Sequence, residues 1–568
     1  MTWGHGASAT ADGEFLLVLP FPKVSGRNRR PWLEPVAWCL LALGAALAQI
    51  PSGGAPHIYL DSCQYLSAAG HLRSTHRMET SLVHFDTERS HGTIPAPLTW
   101  FPPGYPAAIA LVSLAGGGIE RAALGISMAA FALVAGLLWS LMRALDAPGW
   151  AARAAVLCWL ANSNARTYSV AAMSESLFTL AGLASILFLV ALASKSDGVG
   201  TGVCRIGAMA LAGLSYWVRY AGILWVAACL TIVWADFRRR KKGERFGGTA
   251  VAATGVAVVS IAPLAIRNTM LVGDWRGGNN TPFSISPVRL AINGIRAFIH
   301  TVLGNGTARQ LVPAAAIAFV GIVGICVVAL MRPPKSPSAV LEARRPTEGW
   351  WVLLAASSIY LGGIAAIAFR SVISYDSRMY LPVLPQLIAL CVTGVDLAIR
   401  RVPQNGWLRS AGPGIAVCLL LGYCVANGLS GVRRRADGFQ ETQRALMEAD
   451  ATGLSVERRL GRELEPGEAI AATNGQMAGY ILRRRTLSLV GLPYGRMPWN
   501  EHTLRTEMSR FGTRYLLVFR DAALDPVVQQ SQLLAALGDG RATPWLRLVS
   551  STRDLCLYRA VATPETGQ

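Results

Sequence analysis

A series of long apolar runs constrains the fold of this chain more than any other feature of its sequence. About 20 predominantly apolar residues are needed for a helix to cross the hydrocarbon core of a bilayer. About 11 runs of spanning or near-spanning length are present: 33–50, 121–142, 150–163, 174–194, 206–217, 220–235, 248–266, 311–331, 350–369, 380–399 and 411–430. Since 52% of the 568 residues are hydrophobic and only 15% are charged, the composition also argues against a water-soluble protein. We therefore predict a polytopic α-helical membrane protein.

The basic residues between the runs predict its orientation, because cytoplasmic loops carry an excess of Lys and Arg. With the basic segment 26–30 inside, alternation of the spans also places the basic segments 237–242, 332–345 and 399–401 inside. We expect a multi-pass protein of a bacterial inner membrane, with its N-terminus in the cytoplasm and its C-terminus outside.

This topology divides the chain into three parts. Residues 1–32 form a cytoplasmic tail, residues 33–430 a transmembrane domain, and residues 431–568 an extracytoplasmic domain. Two outer loops are expected at 51–120 and 267–310. The first residues lack a basic n-region, so we expect the first span to act as an anchor and no signal peptide to be cleaved.

Two apolar runs are ambiguous. A single helix over 206–234 would carry Arg219 at its middle, at a cost of roughly 2.5–3.5 kcal/mol on insertion scales. Two shorter helices that meet near Arg219 are therefore predicted. The run 104–118 is interpreted as an interfacial or partly inserted helix, because a full crossing there would place the basic segment 237–242 outside.

The region after the last run has the pattern of a small α/β module. Strands are predicted at 468–475, at 514–521 and, as a hairpin, at 545–561, with helices at about 499–511 and 523–537. Alternation of strands and helices is typical of a sheet covered by helices.

Asp61 is the first candidate for chemistry, because it follows the first apolar run directly. A carboxylate at a membrane face can take a proton from an acceptor hydroxyl. The alternative is structural, since Asp61 and Gln64 have the spacing of a capping box for a helix to about Leu72. Both roles are compatible, because an N-cap carboxylate stays ionised.

Glu175 is the second candidate carboxylate, at the start of the apolar run 174–194. It could join Asp61 at the same face of the membrane. In the structural alternative Ser174 caps this helix and Glu175 complements the helix dipole in its first turn.

Three arginines recur at the expected outer ends of helices, each beside a Tyr or Asn. They are Arg219 with Tyr220, Arg267 with Asn268, and Arg378 with Tyr380. Guanidinium groups bind phosphate oxygens in a bidentate fork, which suits a phosphorylated lipid headgroup. For each arginine alone, the alternative is a side chain that reaches to the interface as an anchor.

Aromatic residues accompany these charges. Tyr65 lies one helical turn after Asp61, and Trp100, Phe101 and Tyr105 flank a pair of prolines. Such residues are most often interface anchors, and a sugar ring could also stack on them.

Other site classes find little support. The first outer loop carries several histidines with Asp86 and Glu88, so a divalent metal is possible, but the spacings match no compact ligand motif. No CxxC pair is present; Cys63 and Cys556 lie outside the apolar runs and could pair on an oxidising side. The net charge of +20 comes without any nucleic-acid-binding motif, so a nucleic-acid partner is not expected.

Several segments occur in the order seen in GT-C glycosyltransferases. They are LDSCQYLSAAGHL, FPPGYPAAIAL, MSESLF, GLSYWVRYAGIL, PLAIRNTMLVGDW and DSRMYLPVLPQLIAL. Over about residues 33–400 the chain resembles bacterial members of the protein mannosyltransferase and aminoarabinose transferase group. The resemblance implies a membrane enzyme that transfers a sugar from a polyprenyl-phosphate donor, usually with inversion, to an envelope lipid, glycan or protein on the outer face.

The resemblance also implies roles for individual residues. The acidic residue of the first outer loop, which acts as base or orienting group in such enzymes, corresponds to Asp61, and a second acid corresponds to Glu175. Arginines near the carrier phosphate correspond to Arg219, Arg267 or Arg378. The chain departs from the family at Phe101, where relatives often have a basic residue before the paired prolines.

Two other classes of function stay open. A transporter or lipid flippase would place ionisable groups near the bilayer midplane and often shows inverted repeats, neither of which is clear here. A non-catalytic envelope assembly subunit would use the arginine-rich C-terminal region to bind partners.

Overall fold

The α-helices form most of the protein. The computed structural model describes residues 32–51, 54–83, 90–193, 199–239, 247–277, 286–303, 348–370, 376–401, 438–489, 499–520, 528 and 531–561. The helices in these ranges are α1 (Leu33–Leu47), α2 (Leu60–Thr75), α3 (Gly104–Ser113), α4 (Ile119–Ala144), α5 (Gly149–Ala161), α6 (Ser163–Ser169), α7 (Glu175–Ala193), α8 (Val199–Val218), α9 (Ile223–Arg239), α10 (Gly247–Val272), α11 (Pro287–Leu303), α12 (Glu348–Arg370), α13 (Leu384–Arg401), α14 (Gly438–Met447), α15 (Val456–Glu463), α16 (Gly475–Leu482), α17 (Glu501–Arg510) and α18 (Gln532–Gly538).

The prediction of a polytopic membrane protein is confirmed. Six described segments are long and apolar enough to cross a membrane: Ile119–Ala144, Glu175–Ala193, Tyr220–Arg239, Gly248–Val272, Glu348–Ala368 and Ser377–Leu397. Their inward faces share one large hydrophobic cluster with α1, α2 and α5. The predicted runs 311–331 and 411–430 lie outside the described residues, as do the basic segments 26–30 and 332–345.

The run 206–234 consists of two helices that meet at Arg219, as predicted, although both helices are longer than expected. Near the start of α8, Arg205 donates to Asp236 near the end of α9 at 2.7 Å. Arg205 also donates to Thr249 at the start of α10 at 2.7 Å. These three helix ends therefore lie together, and Arg219 lies at the opposite end of α8, about 20 Å away by the helical rise.

The ambiguous segment 104–118 contains only a short helix. The helix α3 has 10 residues, which corresponds to about 15 Å, half the thickness of a hydrocarbon core. It is therefore too short for a full crossing, in agreement with the prediction. Its first residue packs closely on the end of α8, because a Cβ on Gly104 would lie 2.5 Å from the Trp217 carbonyl oxygen.

The C-terminal part contains the predicted α/β module. The strands of the structure are β1 (Glu79–Thr80), β2 (Leu82–Val83), β3 (Ala96–Pro97), β4 (Ala469–Ala472), β5 (Arg485–Ser488), β6 (Tyr515–Phe519), β7 (Leu546–Ser551) and β8 (Leu555–Ala560). The three predicted strand regions are confirmed as β4, β6 and the β7–β8 hairpin. The strand β5 and the two-residue strands β1, β2 and β3 were not predicted from the sequence. Of the predicted helices, 499–511 contains α17, and 523–537 is described only in part.

The central strands β4 and β6 of the C-terminal sheet are buried on both faces. The strand order of this sheet is β2-β5-β4-β6-β8-β7, with β2, β5, β4 and β6 parallel and the hairpin antiparallel. Along β6, Leu516 and Val518 enter one hydrophobic cluster, and Tyr515, Leu517 and Phe519 enter another. A strand that is buried on both faces reads as a continuous apolar run, which explains why YLLVF was recognisable.

The edge strand β2 comes from the loop after α2, about 400 residues earlier in the chain than its neighbour β5. Leu82 pairs with Thr486, and the Thr486 amide donates to the Ser81 carbonyl at 2.9 Å. Gln64 of α2 fixes this loop through two hydrogen bonds. Its side-chain Nε2 donates to the Leu82 carbonyl at 2.8 Å, and its Oε1 accepts from the Thr80 hydroxyl at 2.8 Å. The loop thus joins α2 directly to the C-terminal sheet.

Gln64→Leu is expected to destabilise the protein by about 1–3 kcal/mol, because the buried Leu82 carbonyl loses its side-chain partner. The measurement is the midpoint of thermal unfolding of the purified protein in detergent. Gln49→Leu is the matched control, since the Gln49 amide donates to the carbonyl of Ala45, four residues earlier at the end of α1, at a partly buried position. Equal shifts for the two variants would show that the loop is not held by Gln64.

The possible disulfide between Cys63 and Cys556 is not formed. Both thiols are free and buried, and they belong to different hydrophobic clusters. Cys63 packs in the core of the helix bundle, whereas Cys556 packs in the core of the C-terminal domain, so the two thiols do not meet.

Candidate functional site

Charged residues from four separate segments meet at one end of the helix bundle. They are Asp61, Glu175, Arg219, Asp376 and Arg378, and we refer to them as the charge cluster. Asp61 lies in the first turn of α2, and Glu175 is the first residue of α7. Arg219 follows α8, and the other two form the turn before α13. Every member therefore sits at a helix end, on the side away from Arg205.

Asp61 does not cap α2, contrary to one of the two predicted roles. The helix begins after Tyr59, whose backbone amide donates to the Ser62 hydroxyl at 3.0 Å. Gln64, the other half of the predicted capping box, is occupied by the loop to β2. The Asp61 carboxylate is thus left to accept from Arg378, with a nitrogen–oxygen distance of 2.6 Å.

Arg378 connects the three carboxylates. Its Nη1 bonds to Asp61 and lies 4.0 Å from Glu175, while its Nε donates to Asp376 at 2.8 Å. Burial raises the pKa of the Asp376 carboxyl, but the Arg378 guanidinium outweighs this effect, so that the pKa lies below its usual value. Asp376 stays ionised at neutral pH and fixes the plane of the guanidinium.

Glu175 and Arg219 form the inner half of the charge cluster. The Glu175 side chain is fully buried and accepts from Arg219 at 2.7 Å, whereas a quarter of the Arg219 side chain is exposed. Arg219 also donates to the Ser174 hydroxyl at 3.0 Å. Ser174, expected to cap α7, therefore uses its hydroxyl to hold the charge cluster. The position of Glu175 in the first turn of α7 is confirmed.

Three aromatic rings line the same end of the bundle. Tyr65 packs against Phe101 at 4.9 Å and edge-on against Tyr105 at 5.1 Å, measured between ring centroids. Its hydroxyl lies 3.2 Å from that of Ser174. Burial raises the pKa of Tyr65 above its ordinary value, so the phenol keeps its proton at neutral pH. Tyr65 thus contacts Ser174, a hydrogen-bond partner of Arg219, as a neutral group, and Tyr105 packs against Tyr65.

Arg267, Asn268 and Tyr220 form a separate group, the loop clamp. Tyr220 donates to the Thr99 carbonyl at 2.7 Å, and Asn268 donates to the Tyr220 hydroxyl at 2.9 Å. Arg267 donates to the Leu98 carbonyl at 3.0 Å and to Asn268 at 3.2 Å. These residues position the segment before Phe101, and their hydrogen bonds do not include the carboxylates of the charge cluster.

Tyr380 follows Arg378 in the turn before α13 and packs against α11. Its ring packs edge-on against Phe298 of α11 with a centroid distance of 5.5 Å. Thr301 of the same helix donates to the Ser377 carbonyl at 3.0 Å. The helix α11 therefore supports the turn that carries Arg378.

Asp376 is the member of the charge cluster that the sequence analysis missed. A signal was present, because an Asp two residues before an Arg can bond both the backbone amide and the guanidinium of that Arg. Asp376 does accept from the Arg378 amide, at 3.4 Å.

A metal site was a possible alternative for the first outer loop. Within the described parts of the chain, no three His, Cys, Asp or Glu side chains are grouped closely enough to share an ion. His84, Asp86 and Glu88 lie outside the described residues. His71, which is described, contacts the Ser81 hydroxyl at 2.7 Å.

Comparisons with known proteins identify the fold. No family model and no curated protein sequence matches the chain. The fold of the chain is similar to two solved structures of ArnT from Cupriavidus metallidurans. One is in the apo state (TM-score 0.53, 14% identity), and the other is bound to undecaprenyl phosphate (TM-score 0.52, 13% identity). Each alignment covers 94% of this chain and 99% of ArnT. The archaeal oligosaccharyltransferase AglB from Archaeoglobus fulgidus, in complex with an inhibitory peptide and a dolichol-phosphate, matches with a TM-score of 0.51 and 10% identity. That alignment covers 91% of this chain and 73% of AglB.

Proposed function

Because the chain has the GT-C fold of membrane glycosyltransferases, we propose that it transfers a sugar from a polyprenyl-phosphate donor to an envelope lipid, glycan or protein. The matched ArnT structure contains undecaprenyl phosphate, and the matched AglB structure contains dolichol-phosphate. Both ligands join a long apolar chain to a phosphate, which suits a site at the end of apolar helices.

The observation that carries the proposal is the convergence of both signs of charge in one place. Displacing a sugar from a lipid phosphate needs a carboxylate near the acceptor hydroxyl and positive charge near the departing phosphate. Asp61 and Arg378 supply the two signs at 2.6 Å from each other. Their positions at helix ends also argue against a transporter, whose ionisable groups usually lie near the bilayer midplane.

Asp61 is the proposed base. The acceptor oxygen attacks the anomeric carbon while the bond between that carbon and the phosphate oxygen breaks, and the acceptor proton passes to Asp61. The bonding electrons leave with the polyprenyl phosphate. One displacement of this kind inverts the anomeric configuration. Asp61 is preferred to Glu175 because 17% of its side chain is exposed, whereas Glu175 is fully buried and cannot reach an acceptor.

The arginines are the proposed phosphate-binding groups. Negative charge grows on the phosphate as the sugar leaves, and preorganised cations stabilise this charge without moving. About 30% of the Arg378 side chain and 25% of the Arg219 side chain are exposed, so both can reach a ligand. Glu175 is then a positioning residue that holds Arg219 and lies 4.0 Å from Arg378. Arg267, with Tyr220 and Asn268, positions the loop before Phe101, and Tyr380 supports the Arg378 turn.

The charge pattern of the sequence supports an outer-face location for the proposed reaction. Arg238 and Arg239, the described arginines of the basic segment 237–242, end α9 on the side of the bundle away from the charge cluster, where Arg205 and Asp236 meet. With that end in the cytoplasm of a bacterial inner membrane, the reaction takes place on the outer face, and the domain from about residue 431 lies outside with it.

Binding of undecaprenyl phosphate to the purified protein in detergent tests the proposal. We expect clear binding by native mass spectrometry and much weaker binding of undecaprenol, which lacks the phosphate. Arg378→Gln should weaken binding of undecaprenyl phosphate about 10- to 150-fold, since a hydrogen bond to a charged group is worth about 1.5–3 kcal/mol.

Arg153→Gln is the matched control, because Arg153 is exposed and pairs with Glu34 of α1 instead of a member of the charge cluster. It should bind undecaprenyl phosphate as the unmodified protein does. If undecaprenol bound as tightly as undecaprenyl phosphate, the phosphate would have no site and the proposed donor would be wrong.

A further inference from the structure

A cleft of about 610 Å³ lies on the other side of α2 from the charge cluster. The helix α2, the start of α4 and the helices α14 and α16 of the C-terminal domain form its walls. This volume is within the range of cavities that hold small molecules, about 300–1,000 Å³. We refer to it as the rear cleft.

The rear cleft is distinct from the charge cluster because the two use different faces of α2. Helical residues are separated by about 100° around the axis. Leu66, Ser67, Gly70 and Ser74 line the cleft, and their directions lie roughly 140–240° from that of Asp61. A ligand in the cleft is therefore separated from Asp61 by the body of the helix.

The rear cleft has an excess of positive charge. Arg73, Arg483 and Arg484 line it, with Glu120 as the acidic residue among its lining. Arg73 and Arg483 are exposed, so their guanidinium groups are accessible from the solvent. The Glu120 carboxylate accepts a hydrogen bond from the Tyr480 hydroxyl at 2.7 Å. Guanidinium groups in this arrangement favour a phosphate or carboxylate.

The other wall of the rear cleft is aromatic. Phe439 of α14 and Tyr480 of α16 both line it, with their ring centroids 6.2 Å apart. Both side chains are only partly buried, which leaves ring surface open to the cleft. Binding sites for small molecules combine such apolar and aromatic surface with a few polar groups. Ser67, Ser74 and Gln443, which carry hydroxyl and amide groups, are also among the lining residues.

We propose that the rear cleft binds an anionic saccharide, with a phosphate or carboxylate on the arginines and a sugar ring against Phe439 and Tyr480. The site goes beyond the proposed transfer reaction, since it uses none of the residues of the charge cluster. The saccharide is either free or the headgroup of a glycolipid. Ile119, where the first candidate span begins, lines the cleft, so a headgroup could enter from the membrane surface.

Calorimetric titration of the purified full-length protein in detergent tests this proposal. The probes are glucose 6-phosphate, glucose, inorganic phosphate and the octyl glycoside of glucose 6-phosphate. We expect glucose 6-phosphate to bind at least tenfold more tightly than glucose or inorganic phosphate. The octyl glycoside should bind tenfold more tightly still if the source is a glycolipid, and equally if the source is free saccharide; either result supports the site.

Variants locate the binding in the rear cleft. The double substitution Arg73→Gln/Arg483→Gln should weaken binding of glucose 6-phosphate at least tenfold, and Phe439→Leu should reduce its advantage over inorganic phosphate. Arg462→Gln, an exposed arginine of the same domain outside the cleft lining, is the matched control. Binding should also persist in Arg378→Gln, which separates this site from the charge cluster.

Three results would overturn the proposal: no binding of glucose 6-phosphate, equal binding of inorganic phosphate, or loss of binding in Arg378→Gln. Size-exclusion profiles of the variants check that the protein is folded. Because Arg73 and Arg483 are exposed, their replacement should leave the profile unchanged.

Discussion

Asp61→Asn is expected to lower the rate of sugar transfer by about 10²- to 10⁴-fold, the usual contribution of a general base. Asparagine has nearly the same shape as aspartate and can still accept from Arg378, but it cannot take up the acceptor proton. The charge cluster should therefore keep its geometry while losing its base. The measurement is transfer of radiolabelled sugar from polyprenyl-phosphate donors by the purified protein, together with its midpoint of thermal unfolding.

Asp146→Asn is the matched control for this substitution. Asp146 is exposed just after the end of α4 and has a positive φ of 56°, a backbone conformation that asparagine adopts readily. Its transfer rate should equal that of the unmodified protein. Unchanged transfer in Asp61→Asn would remove Asp61 from the mechanism, whereas loss of undecaprenyl phosphate binding in this variant would mean that its role is in the binding of the donor.

Arg219→Leu is expected to destabilise the protein by about 3–5 kcal/mol, the usual cost of removing one partner of a buried ion pair. The Glu175 side chain is fully buried, and the Arg219 guanidinium donates a hydrogen bond to its Oε1 at 2.7 Å. No described residue forms a hydrogen bond with the second carboxylate oxygen of Glu175, Oε2. Without Arg219 the nearest described cation is Arg378 at 4.0 Å, so the carboxylate is left poorly compensated. The change is measured as a shift of the unfolding midpoint in detergent.

The double substitution Arg219→Leu/Glu175→Gln separates charge from packing. It removes both charges, so we expect it to recover at least half of the stability that Arg219→Leu loses. Both variants should bind undecaprenyl phosphate more weakly than the unmodified protein, because each lacks a proposed phosphate-binding arginine. A double variant as unstable as the single one would mean that Arg219 acts through its packing and not through Glu175.

The carboxylates and arginines of the charge cluster could be selected from the sequence, but their partners could not. Asp61 and Glu175 were selected because each is a carboxylate near the start of a helix on the expected outer face, where it could act on an acceptor. Three arginines looked equivalent, each at a helix end beside a polar neighbour. The structure separates them, since Arg219 and Arg378 join the carboxylates while Arg267 bonds the Leu98 carbonyl. This choice depends on how α8, α10 and α13 pack, which no local pattern encodes.

Contacts with distant segments overturned one local interpretation and formed one strand that was not predicted. The Asp61–Gln64 spacing matches a capping box, but Gln64 is bound by the loop at Leu82, and Ser62 bonds the Tyr59 amide. The strand β2 has only two residues and no apolar alternation to reveal it. It is a strand only because β5 offers an edge for pairing.

Local sequence patterns were sufficient to predict that this chain spans a membrane, that a helix break occurs at Arg219, and that an α/β module follows the last apolar run. Each of these depends on local composition and periodicity, because a helix in lipid must satisfy its own backbone and present apolar side chains over its whole length. Long-range packing determines which charges meet, how the first loop joins the C-terminal sheet, and that the rear cleft forms beside α2. Asp61 and Arg378 are 317 residues apart in the chain, and contact over such a separation is set by helix packing.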